Sequence, residues 1–206
     1  MIASQTTECS CKHIVSVSLG SSERNAKSTL QLKGQTFIIE RLGTDGNLQK
    51  ARQLLEELDG RVDALGLGGT DLYVYAGGRR YTFRESAKLI ENVKNTPVLD
   101  GSGLKNSLER ILINRLAADK IIDFQGKKVL MVCGVDRFGM AEALVANGAD
   151  VTFGDLIFGL NWDHPIKSLQ TLDSFAKLLA PLLTKLPVRW FYPMGAKQSQ
   201  RKPQHQ

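Results

Sequence analysis

Long apolar runs are missing from this 206-residue chain, and so are paired cysteines. No stretch approaches the roughly 18 consecutive apolar residues that a membrane-spanning helix needs. The polar start MIASQTTECSCKH lacks the apolar core of a secretory signal. A cytoplasmic protein with no membrane partner is therefore expected. The three cysteines, Cys9, Cys11 and Cys133, are an odd number, which suits a reducing compartment. Cys9-Ser10-Cys11 with His13 brings three metal ligands together, but no second cysteine pair exists to complete a set, so no metal site is expected. Aromatic residues make up only 7%, with no extended aromatic–basic interleaving of the kind that binds nucleic acid, which argues against such a partner. The net charge of +6 is partly an end effect. Lys197, Arg201 and Lys202 sit in the acid-free AKQSQRKPQHQ, and without them the balance is +3.

What is present is ordinary for a globular α/β protein: 42% apolar and 23% charged residues. The length allows one large domain or two small ones. Residues 1–12 and 196–206 read as disordered tails. Between them, Ile14–Leu19 alternates as a strand, and Thr29–Leu32 and Thr36–Glu40 flank Lys33-Gly34 as a hairpin. Leu48, Ala51, Leu54, Leu55 and Leu58 recur at helical spacing after Thr44-Asp45-Gly46-Asn47. Val62–Leu67 is a short strand running into the glycine-rich Gly66–Asp71. Leu72–Ala76 and Arg79–Arg84 bracket Gly77-Gly78 as a second hairpin. A helix over Glu85–Lys94 and a strand start at Thr96–Leu99 follow. A helix over Lys105–Leu116 is then expected to carry Leu108, Ile111, Leu112 and Leu116 inward, linking 13–120 to a second region, 121–195.

That second region is organised around Gly126–Asp155, GKKVLMVCGVDRFGMAEALVANGADVTFGD. An apolar run (Val129–Val132) reads as a buried parallel strand. A glycine turn, a short apolar helix and a second strand, Ala149–Phe153, follow, ending on Gly154-Asp155. Strand, glycine turn, helix, strand and acid is the order of a dinucleotide-binding unit. Backbone N–H groups at Gly134, Val135, Asp136, Arg137, Phe138 and Gly139 would cradle a pyrophosphate, and Asp155 would hold a ribose diol. Asp155 lies 21 residues after Gly134, against about 20 in the rule. Asp136 stands where the middle glycine usually stands, and Arg137 is the expected offset for its charge. NAD is favoured over NADP by Asp155. The same pattern also suits S-adenosylmethionine, or a βαβ unit that binds no nucleotide.

Read together, Leu99-Asp100-Gly101-Ser102-Gly103-Leu104 and Gly126–Gly134 (GKKVLMVCG) resemble segments of the quinate/shikimate dehydrogenase family. VSVSLGSS, VDALGLGGTDLY and TPVLDGSGLKNSLER resemble a longer group of bacterial proteins named quinate 5-dehydrogenase, so a truncated chain is expected. The resemblance implies an N-terminal α/β substrate region followed by a partial Rossmann-like, doubly wound region. It implies NAD(P)-dependent oxidation of a cyclic polyol acid. A small-molecule substrate is then the expected partner, with a homodimer the one assembly left open. By motif, Asp100 would be the acid/base carboxylate, with Lys105 offered as its nearby cation. The family's N-x-T-x-P-x-K lysine motif is absent, and its S-x-S substrate grip has an echo only in Ser16-Val17-Ser18. The alternatives are a non-catalytic ligand-binding protein on the same fold and an S-adenosylmethionine-dependent transferase.

Overall fold

The computed structural model describes residues 11–190, so Cys9 and both expected tails, but for residues 11 and 12, lie outside the described residues. In chain order the strands are β1 (Lys12–Ser18), β2 (Ala26–Leu32), β3 (Gln35–Gly43), β4 (Ala64–Gly68), β5 (Tyr73–Ala76), β6 (Arg79–Thr82), β7 (Val98–Leu99), β8 (Lys128–Met131) and β9 (Asp150–Phe153). The α-helices are α1 (Leu48–Leu58), α2 (Arg84–Leu89), α3 (Ser102–Asn106), α4 (Leu108–Ala118), α5 (Phe138–Ala146) and α6 (Leu169–Leu183). The class is α/β. Two compact units are present. One holds the described residues up to Thr70, Ser86–Asp100 and those from Val188; the other holds Asp71–Glu85 and Gly101–Pro187.

The first unit is a five-stranded sheet in the order β2-β3-β1-β4-β7, parallel except for β2. The antiparallel β2–β3 pair turns on Lys33 and Gly34, both at positive φ, as a two-residue hairpin between twisted strands requires. Helix α1 starts where Asn47 accepts the Lys50 N–H at 2.9 Å, an N-cap that satisfies one of the helix's orphan donors. Its Ala51 and Leu55 are fully buried, as are Val15 and Val17 of β1. Burying a leucine of this kind contributes about 1.5–3 kcal/mol. Register places Ser16 beside Arg41 on one side and Gly66 on the other, so these three share a sheet face. Past the end of α1, the Asp59 carboxylate accepts the backbone N–H groups of Lys94, Asn95 and Thr96 at 2.7–2.9 Å.

The second unit contains the β5–β6 hairpin, the parallel pair β8–β9, and α3 to α6. Its core gathers Phe138, Ala141 and Leu144 of α5, Val151 and Phe153 of β9, and Leu172 and Ala176 of α6. The order β8, α5, β9 agrees with the sequence reading, but β8 is not buried on both faces. Met131 is buried while Leu130 and Val132 are 59% and 57% exposed, because β9 is its only partner strand among the described residues.

Several local expectations are corrected. The single helix over Lys105–Leu116 is two, α3 and α4, with Ser107 between them. Of its expected inward residues, Leu108, Ile111 and Leu112 face solvent, whereas Ile113 is 8% exposed. The stripe of leucines gave the period and not the phase, which is set by packing of α4 on α5 within the second unit. Helix α2 ends at Leu89 rather than Lys94. Helix α6 continues through Pro181 with the Thr184 N–H on the Ala180 carbonyl at 3.0 Å. Burial of Leu172, Ala176 and Ala180 along its inner face offsets the roughly 3 kcal/mol that an internal proline costs. The loop after Asp155 opens with a π-helical turn, Asp155–Gly159. Val188–Trp190 form a 3-10 turn. Among the described residues no helix is long and apolar enough to cross a membrane.

Candidate functional site

The glycine turn between β8 and α5 is closed by the chain's own groups. The Asp155 carboxylate leaves the end of β9 and accepts the Gly134 N–H at 2.9 Å and the Val135 N–H at 2.8 Å. The Cys133 thiol lies 3.6 Å from Asp155 Oδ1, to which it donates. Two consecutive amides of the expected pyrophosphate cradle are thus engaged within the protein. Gly134 is also required by packing. A Cβ there would stand 2.6 Å from the Phe153 ring and 2.9 Å from a Leu172 methyl.

Cys133 is exposed as a residue, yet its sulfur is crowded. Burial of the sulfur, followed by the negative charge of Asp155, pushes the thiol up to about 12. The group is therefore a neutral thiol near pH 7 and a poor nucleophile.

The other members of the turn are also committed. Asp136 is offset by Lys105 and not by Arg137. The Lys105 ammonium donates to Asp71 Oδ2 at 2.7 Å and to the two Asp136 oxygens at 2.8 and 3.0 Å. Its protons are thus shared between two carboxylates. Burial acts to lower the Lys105 pKa, but hydrogen bonds from Asp136 and Asp71 and their charges raise it overall. Lys105 is a permanent cation pinning three segments of the second unit together. Arg137 instead pairs with Glu109, and Arg110 with Glu142. Phe138 is a core residue, 4% exposed. Gly139 lets α5 approach α3, since a Cβ there would stand 2.7 Å from the Asn106 carbonyl oxygen.

Asp100 follows β7, half-buried, as the last residue of that segment of the first unit. It is not the N-cap of the following helix, whose cap is Gly101 at φ 86. Lys105, offered as its partner, belongs to the second unit, held there by Asp71 and Asp136. In the first unit, Ser18 Oγ accepts the Gly20 N–H at 3.1 Å and Arg41 Nη2 at 3.0 Å, while Arg41 Nη1 bonds the Ser21 carbonyl. Burial and the nearby Arg24 lower the Arg41 pKa. Sequence spacing gave no signal for Arg41, because parallel pairing is what brings it next to Ser16 and Ser18.

A second feature that sequence reasoning set aside lies on the hairpin of the second unit. Tyr73, Tyr75, Arg80, Gly103 and Asn106 line a cleft of about 330 Å³. The Arg80 guanidinium stacks on the Tyr73 ring, 3.9 Å from its centroid. The alternation of β5 and β6 places Arg80 beside two tyrosines.

A comparison with curated proteins finds no match. Residues 13–100 match the sequence family described as a domain of unknown function, DUF8753. The two family matches change over between Asp100 and Gly103, near where the chain leaves the first compact unit. The second match, to the family described as a domain of unknown function, DUF8754, spans residues 103–206, just over half of the chain, and the protein belongs to that family.

Proposed function

We propose that this chain is a ligand-binding protein that keeps the element order of the quinate/shikimate dehydrogenases without an open nucleotide turn. The observation that carries the reading is the pair of bonds from Asp155 to the Gly134 and Val135 amides. A pyrophosphate needs those donors and is repelled by a carboxylate already seated on them. Asp136 adds a second negative charge to the same turn. The residues present therefore do not fit NAD or NADP at Gly134–Gly139, and no hydride or proton step follows from them. Lys105 points the same way: held as a cation between two carboxylates, it has no lone pair for work as a base.

A second reading, NAD(P)-dependent oxidation of a cyclic polyol acid by a Rossmann-like region, is supported by the Asp100–Leu104 segment and the parallel β8–β9 pair around α5. It requires Asp155 to leave both amides and take a ribose diol. Calorimetric titration with NAD, NADP and S-adenosylmethionine separates the two. The ligand-binding reading expects no heat from any of the three at millimolar concentration. Nicotinamide nucleotide binding that is lost in Asp155→Ala would replace it with the dehydrogenase reading. Binding of S-adenosylmethionine alone would replace it with a transferase.

A further inference from the structure

We propose that the hairpin cleft of the second unit is a binding site for a small aromatic carboxylate. This goes beyond the reading above, and it stands whether or not a nucleotide binds at the turn. The cleft is built by local geometry. Gly77 and Gly78, at φ 55 and 75, make the tight turn that sets β5 against β6. In that register Tyr75 lies directly opposite Arg80, and Tyr73 is its diagonal neighbour on the same face. Helix α3 forms the facing wall and is tied to β5 where the Ser102 hydroxyl donates to the Tyr73 carbonyl at 2.8 Å.

The polar groups that meet there are uncommitted. Arg110 and Arg137, nearby in the same unit, are each neutralised by a glutamate. Arg80 enters no ion pair among the described residues, and its guanidinium lies over the Tyr73 ring. A guanidinium held over a ring still carries N–H donors, and its fork matches a carboxylate bidentately. Arg110 Nη2 occupies the Asn106 side-chain oxygen at 3.3 Å, so the free end of that amide is its NH₂ donor. Beside Gly103 there is room at the Tyr73 hydroxyl, since a Cβ added there would meet it only at an ordinary contact of 3.8 Å.

The same groups select the ligand. One guanidinium, with hydroxyl and amide donors but no second cation, balances a single negative charge. That suits a carboxylate and leaves a phosphate dianion half neutralised. The remaining walls are tyrosine rings, apolar in body and polar at the tip, which favour a flat apolar ligand body. The volume is at the small end of ligand pockets, enough for a single-ring acid.

The test is a calorimetric and NMR titration of the whole chain with benzoate, benzamide, quinate and inorganic phosphate. Benzoate is expected to bind, with benzamide and phosphate at least about tenfold weaker, because each lacks one matching feature. Arg80→Gln is expected to weaken benzoate about tenfold or more, and Tyr75→Phe to weaken it several-fold, with circular dichroism unchanged in both. Arg80 is exposed, so its loss leaves the fold intact. Absence of benzoate binding, or binding unchanged in Arg80→Gln, overturns the site. Quinate or phosphate binding tighter than benzoate overturns the assignment to an aromatic carboxylate. Nucleotide titrations of the same samples report separately on the turn, so the two proposals fail by different measurements.

Discussion

Asp155 accepts the backbone N–H of Gly134 at 2.9 Å, across 21 residues of chain. The acid at the end of the second strand thus faces back onto the turn it was expected to serve. Its two oxygens take two amides, Gly134 and Val135, and so act as the turn's own anion.

Replacing Asp155 by alanine is therefore expected to destabilise the second unit. Two part-buried amides lose a charged acceptor, at a cost of about 1–3 kcal/mol. Thermal unfolding followed by circular dichroism measures the loss. Added pyrophosphate should recover part of it, by occupying the vacated amides. An Asp155→Ala protein as stable as the parent would show that the two bonds contribute nothing.

Lys105→Met should cost more, about 3 kcal/mol, because it leaves Asp71 and Asp136 facing each other without their shared cation. The sign of the pH effect follows from the raised pKa. The stabilisation is present in full below the ordinary lysine value of 10.5 and is lost as pH rises through the higher folded value. Stability measured in urea between pH 9 and 12 should fall more steeply in the parent than in Lys105→Met.

At the acid end, the first unit depends on Asp59. Three backbone N–H bonds, that of Lys94 foremost, lower its carboxyl from the ordinary 3.8 to about 2. Its contribution is complete above about pH 4 and disappears as pH falls toward 2. Asp59→Asn should flatten the acid limb of the stability profile in that window. An unchanged profile would remove Asp59 from the account.

Cys133 should resist alkylation. With Cys9 and Cys11 changed to serine, iodoacetamide at pH 8 is expected to modify the remaining thiol far more slowly than free cysteine, since it stays protonated up to about pH 12. Asp155→Asn removes the second of the causes that raise it and should speed the reaction. Fast labelling of the otherwise unaltered protein would contradict the crowded environment of the sulfur.

Much of the fold was legible along the chain. Helix α1 occupies the predicted Leu48–Leu58, because Asn47 supplies a cap and the leucines supply the period. Both hairpins turn at Lys33-Gly34 and Gly77-Gly78, where positive φ is available. The β8–α5–β9 order follows from an apolar run, a glycine turn and a second apolar run. These are local properties, fixed by which backbone angles and which faces a short segment can satisfy alone.

The site was legible only in part. Lys105, Asp136 and Asp155 were all singled out, but the way they pair was not. Asp71 and Asp136 reach Lys105 from 34 and 31 residues away, and no spacing rule encodes such a meeting. The phase of α4 was likewise decided by what α5 offered it, which turned Ile113 inward and left Leu108, Ile111 and Leu112 in solvent. Sequence determined which segments are strands, turns and helices, since those depend on neighbours a few residues apart. Only the tertiary structure decided which charges neutralise one another, which amides are taken, and that Arg80 stands over Tyr73. Those outcomes depend on distances of a few ångströms between segments that the chain order keeps far apart.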